Sequence, residues 1–374
     1  MPWALLFSLV FFCPGFLPAE EGVPCRIGFD VGSSGIRVGF LEGPQTAKVS
    51  IDYLTDVWAD DRIDVTVPAT VEAFRRLPRE AYLPTGCQAV AGGFSAWRLA
   101  AGQGDRRSLA ATMAGIHRQS GVFLFVIPQE VEGHYGFVAA REAARGKLTT
   151  PFILDIGGGS LQIAGEARSW GVALGQKAWH KRLCARLKGS TEANCSLDPV
   201  GAGAMAKSRE ILSAELQSAR ESLGGGFALT AISAPVVKGM HPVLLYLARQ
   251  GVLRGGVDAG GFERRALEEA IRRLEGEDSA SLLRMLEACR GEAVAPVCST
   301  MGVGSLLSDM LLVQALLEAL RIERVEVMAI EVNNVAGLLR DGRLAAWTKH
   351  YGCYLQRLQR DGVEAYASDP GGCR

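Results

Sequence analysis

The stretch FILDIGGGSLQIAG, residues 152–165, ends an apolar run on one acidic residue and continues with three glycines and a serine. The alternation of apolar residues that resumes at Leu161 is typical of a second strand. Glycine permits positive φ and leaves backbone N–H groups uncovered, so Asp155 beside Gly157, Gly158 and Gly159 indicates a turn that approaches a ligand closely. Paired glycines also connect ordinary antiparallel strands, and this stretch alone supports both interpretations equally.

A second stretch, FDVGSSGIRVGF at residues 29–40, repeats the layout of apolar run, aspartate, glycine turn and alternating run. Two such hairpins facing each other would bring two glycine turns and two carboxylates into one cleft. Backbone amides and the hydroxyls of Ser33, Ser34 and Ser160 could then bind phosphate oxygens, while Asp30 and Asp155 could hold a hydrated Mg²⁺. The duplication makes two unrelated hairpins the weaker interpretation.

The amino-acid composition limits the number of domains, the partners and the fold class that we expect. The chain has 374 residues, of which 48% are hydrophobic and 21% charged, so it is long enough for two domains with sizeable cores. Its 40 Lys and Arg balance its 40 Asp and Glu, and we therefore expect no nucleic-acid partner. Predicted strands alternate with predicted helices, which favours an α/β layer architecture.

The N-terminus and the cysteines both indicate export. The run from Trp3 to about residue 17 is uncharged, but it is too short and too broken by Pro14 for a stable membrane span. It fits a signal peptide over residues 1–19, although no Lys or Arg precedes it, and an uncleaved anchor is the alternative. Without Cys13, the 9 cysteines leave an even 8. We expect a secreted or periplasmic protein whose disulfides include the close pairs Cys184/Cys195, Cys289/Cys298 and Cys353/Cys373.

Between the two glycine turns lies VIPQEVEGHYGFVAA, residues 126–140, which carries Glu130 and Glu132 from a strand end into a predicted helix. A carboxylate at this junction could activate a water for attack on phosphorus. Acidic residues are also common in the first turn of a helix because its dipole favours negative charge there. The spacing alone favours that ordinary explanation.

Taken together, these stretches resemble the exopolyphosphatase/guanosine pentaphosphate phosphohydrolase (Ppx/GppA) family of the actin–hexokinase–Hsp70 superfamily. FDVGSSGIRVGF and LDIGGGSLQIAG are similar to the family's two phosphate loops, DIGSNSxR and DIGGGSTEL. GGFSAWRLA resembles the segment with the loop arginine, which falls on Arg98, and VIPQEVEGHYGFVAA resembles the segment whose catalytic glutamate falls on Glu132. The resemblance spans about residues 26–340 and is most specific in the first half.

The resemblance implies an α/β fold of two actin-like (ribonuclease H-like) domains with an interdomain cleft. We place the first domain, with both phosphate turns, at 24–166, the second at 167–345 and a C-terminal tail at 346–374. It implies Glu132 as general base with Arg98 beside it, Asp30 and Asp155 as ligands of Mg²⁺, and a Cys25–Cys87 disulfide across neighbouring parallel strands. The implied phosphate-binding residues are Gly32, Ser33, Ser34, Arg37, Gly157, Gly158, Gly159 and Ser160.

The implied activity is hydrolysis of phosphoanhydride bonds, with inorganic polyphosphate as the first expected substrate. GSSGIR, EGHYGF and GGGSLQIA also resemble motifs of secreted apyrases, and Gln162 suits apyrases better, so an apyrase-like nucleoside tri- or diphosphate hydrolase is the alternative. In ALTAISAPVVKG, Ser233, Ala234 and Pro235 stand where the family has glycines. A non-catalytic phosphate- or polyanion-binding protein of the same fold therefore stays open, as does the oligomeric state, a homodimer included.

Overall fold

The computed structural model of the chain describes residues 25–41, 43–60, 62–192, 195–291 and 303–373. The predicted leader and Cys298, the expected partner of Cys289, lie outside the described residues. No helix in the described part of the chain has both the length and the apolar character that a bilayer crossing requires.

Two mixed β-sheets form the framework. The first has the order β3-β2-β1-β4-β5 and consists of β1 (Arg26–Val31), β2 (Gly35–Phe40), β3 (Gly43–Ser50), β4 (Gln88–Gly93) and β5 (Phe123–Val126). The second has the order β10-β11-β12-β9-β6-β7-β8 and consists of β6 (Phe152–Ile156), β7 (Leu161–Gly165), β8 (Ser169–Val172), β9 (Leu229–Ala231), β10 (Val257–Asp258), β11 (Gly261–Glu263) and β12 (Arg324–Val327).

Helices connect the strands and cover the sheets. Those that accompany the first sheet are α1 (Tyr53–Asp60), α2 (Val67–Glu80), α3 (Ala96–Gln103), α4 (Arg106–Ser120) and α5 (Gln129–Ala143). Those that accompany the second are α6 (Gln176–Leu183), α7 (Ala204–Ile211), α8 (Ser213–Leu223), α9 (His241–Arg249), α10 (Arg264–Leu274), α11 (Ser279–Gly291) and α12 (Val303–Ala319). The chain closes with α13 (Val335–Arg340), α14 (Gly342–Lys349) and α15 (Tyr351–Asp361).

The two sheets repeat one topology. In each, two antiparallel hairpin partners lie on one side of the first strand and parallel strands lie on the other, as β3-β2-β1-β4-β5 and β8-β7-β6-β9-β12 show. The first two strands of each repeat are joined by one of the two glycine turns. This duplicated α/β arrangement confirms the predicted actin-like fold class.

The two glycine turns belong to different sheets. The boundary predicted at 166 assigned both glycine turns to the first domain, but the second turn joins β6 and β7 of the second sheet. The reason is that β6 pairs in parallel with β9, from Phe152 opposite Leu229 to Leu154 opposite Ala231. The turns therefore meet from opposite sheets.

The C-terminal residues are also more than a tail, because α13 to α15 pack into the core of the first sheet. The hydroxyl of Tyr354 accepts a hydrogen bond from the Val126 amide at 2.7 Å, and that of Tyr351 donates to the Leu124 carbonyl at 3.1 Å. These two tyrosines satisfy main-chain groups of β5, the edge strand of the sheet.

Three predicted disulfides are present. Cys25–Cys87 joins the residues just before β1 and β4, whose parallel register places Arg26 opposite Gln88 and their neighbours' Cα atoms 4.7 Å apart. Cys184–Cys195 closes a short loop after α6, and Cys353–Cys373 fastens the chain end to α15.

Candidate active site

The first glycine turn is fixed by backbone hydrogen bonds from the start of α1 and the residues just before it. The Gly32 amide donates to the Gly35 carbonyl at 3.0 Å and closes the turn. The carbonyl of Ser33 accepts from Tyr53, the first residue of α1, at 3.1 Å, and the carbonyl of Ser34 accepts from Ile51 at 3.2 Å. The carbonyl oxygens of Ser33, Ser34 and Gly35 therefore all accept hydrogen bonds from backbone amides.

The second turn is held in the same way. The Gly157 amide donates to the Ser160 carbonyl at 2.9 Å, and the carbonyls of Gly157 and Gly158 each accept at 2.8 Å from Gln176 and Lys177, which begin α6. In both hairpins the helix that follows the third strand therefore fixes the turn through its first N–H groups, which lack partners within the helix itself.

These contacts leave several backbone N–H groups of the two turns able to donate to a ligand. Among the hydrogen bonds of the described residues, none uses the N–H of Ser33, Ser34, Gly158 or Gly159. Successive free N–H groups at a turn form a concave donor surface of the kind that binds phosphate oxygens. The turns also approach each other closely, since a Cβ on Gly158 would lie 2.8 Å from the Ser33 Oγ.

A cavity of about 330 Å³ lies between the turns. Both turns contribute to its wall, together with carboxylates, cations and hydroxyls from three further segments. The polar lining residues are Asp30, Ser33, Ser34, Arg37, Lys48, Ser50, Ser95, Glu132 and Ser160. Two opposed donor turns and a carboxylate beside them can bind a phosphate chain and present a water to it.

Glu132 is fixed in this wall by one ion pair and one hydrogen bond. It lies in the first turn of α5, and its side chain is 12% exposed. Its Oε2 lies 2.6 Å from Nη2 of the buried Arg98 and accepts a hydrogen bond of 2.8 Å from Nε2 of Gln162 on β7. Arg98 is itself oriented by donating from Nη1 to the Ile127 carbonyl at 3.1 Å. No described residue donates to the Oε1 of Glu132, which leaves that oxygen able to accept a proton.

Burial controls the electrostatics of the site. Removal from water raises the pKa of Glu132 to about 7; Arg98 opposes the rise, and the carboxylates of Asp30 and Asp155 add to it. Burial also raises the pKa of Asp155 to about 6, with Asp30 adding to the rise and Arg37 opposing it. The pKa of Asp30 is raised by burial as well, although its Oδ2 accepts a hydrogen bond of 3.0 Å from the Asn334 amide.

Asp30 and Asp155 suit a hydrated Mg²⁺. Each carboxylate lies one residue before the end of the first strand of its repeat. Burial and then repulsion by Asp30 raise the pKa of Asp155, and a cation between the two carboxylates would oppose this rise. The described residues include no group of three or more His, Cys, Asp or Glu arranged to hold a metal ion. Mg²⁺ typically takes one or two carboxylates and keeps several waters, so two aspartates fit it.

Comparison with known proteins gives the fold. No family model matches the sequence, and no curated protein matches it either. Among solved structures, an Aquifex aeolicus Ppx/GppA phosphatase aligns over 85% of this chain and 98% of its own, with TM-score 0.57 and 14% identity. An exopolyphosphatase from Cytophaga hutchinsonii aligns over 84% and 96%, with TM-score 0.54 and 14% identity. The chain has the Ppx/GppA fold. An exopolyphosphatase-like protein at 19% identity and TM-score 0.54 agrees, covering 84% of this chain and 96% of its own.

Within this fold, most of the predicted site residues lie together. The cavity lining includes Asp30, Gly32, Ser33, Ser34, Arg37, Glu132, Gly157, Gly158 and Ser160. Three others, Arg98, Asp155 and Gly159, are outside the lining. Arg98 forms an ion pair with Glu132, and a Cβ on Gly159 would collide with the Ser95 Oγ and lie 3.0 Å from Leu54. The roles of all these residues stay predictions.

Three polar residues of the cavity, Lys48, Ser50 and Ser95, were not predicted from the sequence. Lys48 comes from β3, a strand whose sequence GPQTAKVS shows almost no apolar alternation. Ser95 precedes α3 with a φ of 38°, and its buried Oγ has no hydrogen-bond partner among the described residues. The signal that could have revealed Ser95 is its place as the residue before a helix, three positions ahead of Arg98.

Proposed function

We propose that this chain is an exported phosphohydrolase that cleaves phosphoanhydride bonds of inorganic polyphosphate. The observation that carries the proposal is that Glu132 shares one cavity with both glycine turns. It is fixed there through its Oε2, while its Oε1 accepts no hydrogen bond from any described residue. Export is supported by the three disulfides, since such bonds persist in oxidising compartments.

In the proposed reaction, the free amides of the two turns and Arg37 bind the phosphate oxygens and orient the terminal phosphoryl group. Glu132 accepts a proton from a water as the oxygen of that water attacks phosphorus, and the shortened polyphosphate leaves. Arg98 keeps the Glu132 carboxylate in position and favours its ionised form. Mg²⁺ bound by Asp30 and Asp155 would neutralise charge on the phosphate oxygens.

Nucleotide hydrolysis is the second candidate, and Gln162 favours it. The Nε2 of this side chain donates to Glu132 at 2.8 Å and to the Ser160 Oγ at 3.2 Å, which links the apyrase-like residue directly to the proposed base. The chemistry at the reacting bond is the same for both candidates, so the substrate is what separates them.

Binding without turnover is the third candidate, because residues 229–238 lack the glycines of the family. In the structure they form β9 and a π-helical turn, Pro235–Met240, and none of them lines the cavity between the described turns. The altered segment therefore leaves the wall around Glu132 complete, which favours turnover over binding alone.

The proposal is tested by phosphate release from long-chain polyphosphate, tripolyphosphate, ATP, ADP and guanosine pentaphosphate, with Mg²⁺ and with the disulfides oxidised. We expect polyphosphate to give the highest kcat/KM. A preference for ATP or ADP would favour the nucleotide candidate. Stabilisation of the fold by these compounds without any release would favour the binding protein.

A further inference from the structure

The segment that follows β12 leads from the second sheet back to the first, and α13 begins there against β1 and β2. The side chain of Val335 occupies space that two glycines leave open. A Cβ on Gly28 of β1 would lie 2.9 Å from the Val335 Cγ1, and a Cβ on Gly39 of β2 would lie 3.3 Å from it. The start of α13 is therefore fixed beside the strand that carries Asp30.

This packing brings one backbone amide of the segment to the Asp30 carboxylate. The N–H of Asn334 donates to Oδ2 of Asp30 at 3.0 Å. Asn334 immediately precedes α13, so its N–H has no partner within the helix. Two residues earlier, the carbonyl of Val332 accepts a hydrogen bond of 3.0 Å from Nη1 of Arg37, which lies opposite Asp30 in the pairing of β1 with β2. The segment thus contacts both members of this cross-strand pair.

The second repeat has no equivalent of this contact. Asp155 occupies there the position that Asp30 has in the first repeat, and no described residue donates a hydrogen bond to its carboxylate. The residue opposite Asp155 on β7 is Gln162, whose Nε2 donates to Glu132. Of the two carboxylates, only that of Asp30 is therefore fixed by a backbone donor among the described residues.

We propose that the backbone amide of Asn334 is a positioning group for the divalent-cation site, because it fixes the Asp30 carboxylate in the orientation that binds the cation. This inference rests on the proposed function, which assigns Mg²⁺ to Asp30 and Asp155. Outer hydrogen bonds of this kind orient metal-binding carboxylates, and their loss typically costs about 10–100-fold in metal affinity or activity. Asp30 is then the preorganised ligand, whereas Asp155 has no donor that orients it.

The first test uses the unmodified chain. A cation that binds better when the bond between the amide and Asp30 is made must stabilise that bond by the same factor, because coupling between two equilibria is reciprocal. We expect saturating Mg²⁺ to slow hydrogen exchange of the Asn334 amide, followed by NMR, by about tenfold. The control is the Val335 amide, which donates to Oδ1 of Asn333 at 3.0 Å and should be slowed far less.

The second test removes the donor. Asn334→Pro replaces the N–H by a ring carbon, at a residue whose φ of −81° is close to the value of about −65° that proline requires. Asn334→Ala keeps the N–H and is the matched control. The probe is Mn²⁺, which suits the same carboxylate and water ligands as Mg²⁺ and is measured by electron paramagnetic resonance of the free ion. We expect the proline variant to bind Mn²⁺ about tenfold more weakly and the alanine variant to stay within about threefold of the original chain.

Circular dichroism and urea unfolding verify that both variants are folded. An equal loss of Mn²⁺ affinity in the two variants, an unchanged affinity in a folded proline variant, or no Mn²⁺ binding by the original chain would overturn the role of the amide. Equal slowing of the Asn334 and Val335 amides, or no slowing, would overturn it as well, and this result decides if the proline variant does not fold.

The same experiments separate this inference from the proposed function. Phosphate release by a chain in which both tests fail would leave the proposed function standing without a role for the Asn334 amide. The expected exchange and binding results in a chain that hydrolyses none of the substrates would leave the role of the amide standing and overturn the proposed function.

Discussion

Asp309 on α12 provides a sharp stability test, because it is a carboxylic acid enclosed in the core of the second sheet and 3% exposed. Its Oδ2 accepts a hydrogen bond of 2.5 Å from Nε2 of Gln176, and its Oδ1 has no hydrogen-bond partner among the described residues. Burial raises the pKa of Asp309 to about 7, while hydrogen bonds from Gln176 and Ser305 oppose the rise.

The direction of the effect follows from proton linkage. A carboxyl whose pKa is higher in the folded state binds its proton more tightly there, so its contribution is complete below the unfolded pKa. That contribution is lost as pH rises through the folded pKa. From the ordinary value of 3.8 to about 7, at about 1.4 kcal/mol per unit, ionisation of Asp309 costs about 4 kcal/mol above pH 7.

Asp309→Asn removes this titration and keeps the shape of the side chain. The new amide replaces an unpartnered oxygen and costs about 1–3 kcal/mol at every pH. We therefore expect the variant to be less stable than the original chain near pH 4 and more stable near pH 8. The measurement is urea unfolding across this range with disulfides intact, followed by tryptophan fluorescence and circular dichroism.

The control for this experiment is Glu210→Gln, which replaces an exposed acid on α7 and makes the same change from acid to amide outside the core. Two parallel curves for Asp309→Asn and the original chain, offset by a constant free energy, would refute the reasoning. That result would mean that Asp309 does not titrate differently in the folded and unfolded states.

Three further predictions concern the site and the chain end. Because burial raises the pKa of Glu132 to about 7 and the base must be ionised, kcat/KM should rise with pH and level off above about pH 7; a flat profile from pH 5 to 8 would contradict this. In Gly158→Ala the new methyl group would lie 2.8 Å from the Ser33 Oγ, and we expect kcat/KM to fall by about tenfold or more. In Gly157→Ala the new methyl group would lie 3.4 Å from its nearest atom, and we expect only a small change in kcat/KM. Tyr354→Phe leaves a buried amide of β5 unpaired and should lower the free energy of unfolding by about 1–3 kcal/mol, measured in urea; an unchanged value would refute that role.

The sequence was sufficient for the features that local patterns encode. Aspartate followed by glycine and small residues, met twice, predicted both hairpins and the meeting of their turns. The alternation of strands and helices predicted the α/β architecture, and the parallel neighbours β1 and β4 bear out the implied Cys25–Cys87 bond. In each case the residues that determine the feature are close in sequence or belong to a duplicated motif.

Features determined by distant partners escaped prediction. The position of the second turn in the second sheet depends on the pairing of β6 with β9, in which Phe152 lies opposite Leu229, and no local pattern encodes this pairing. The polar strand β3 is stabilised by pairing with β2, so its sequence needs no apolar face, and Lys48 was missed with it. The packing of Tyr354 against β5 is likewise a contact across the chain.

The central claim is that Glu132 activates the attacking water, and Glu132→Gln tests it most directly. The measurement is Mg²⁺-dependent phosphate release from long-chain polyphosphate by the original chain and by the variant, with circular dichroism to verify that both are folded. The account predicts a loss of at least about 100-fold in kcat, because the amide cannot accept the proton. A folded variant that releases phosphate within a few-fold of the original rate would contradict it.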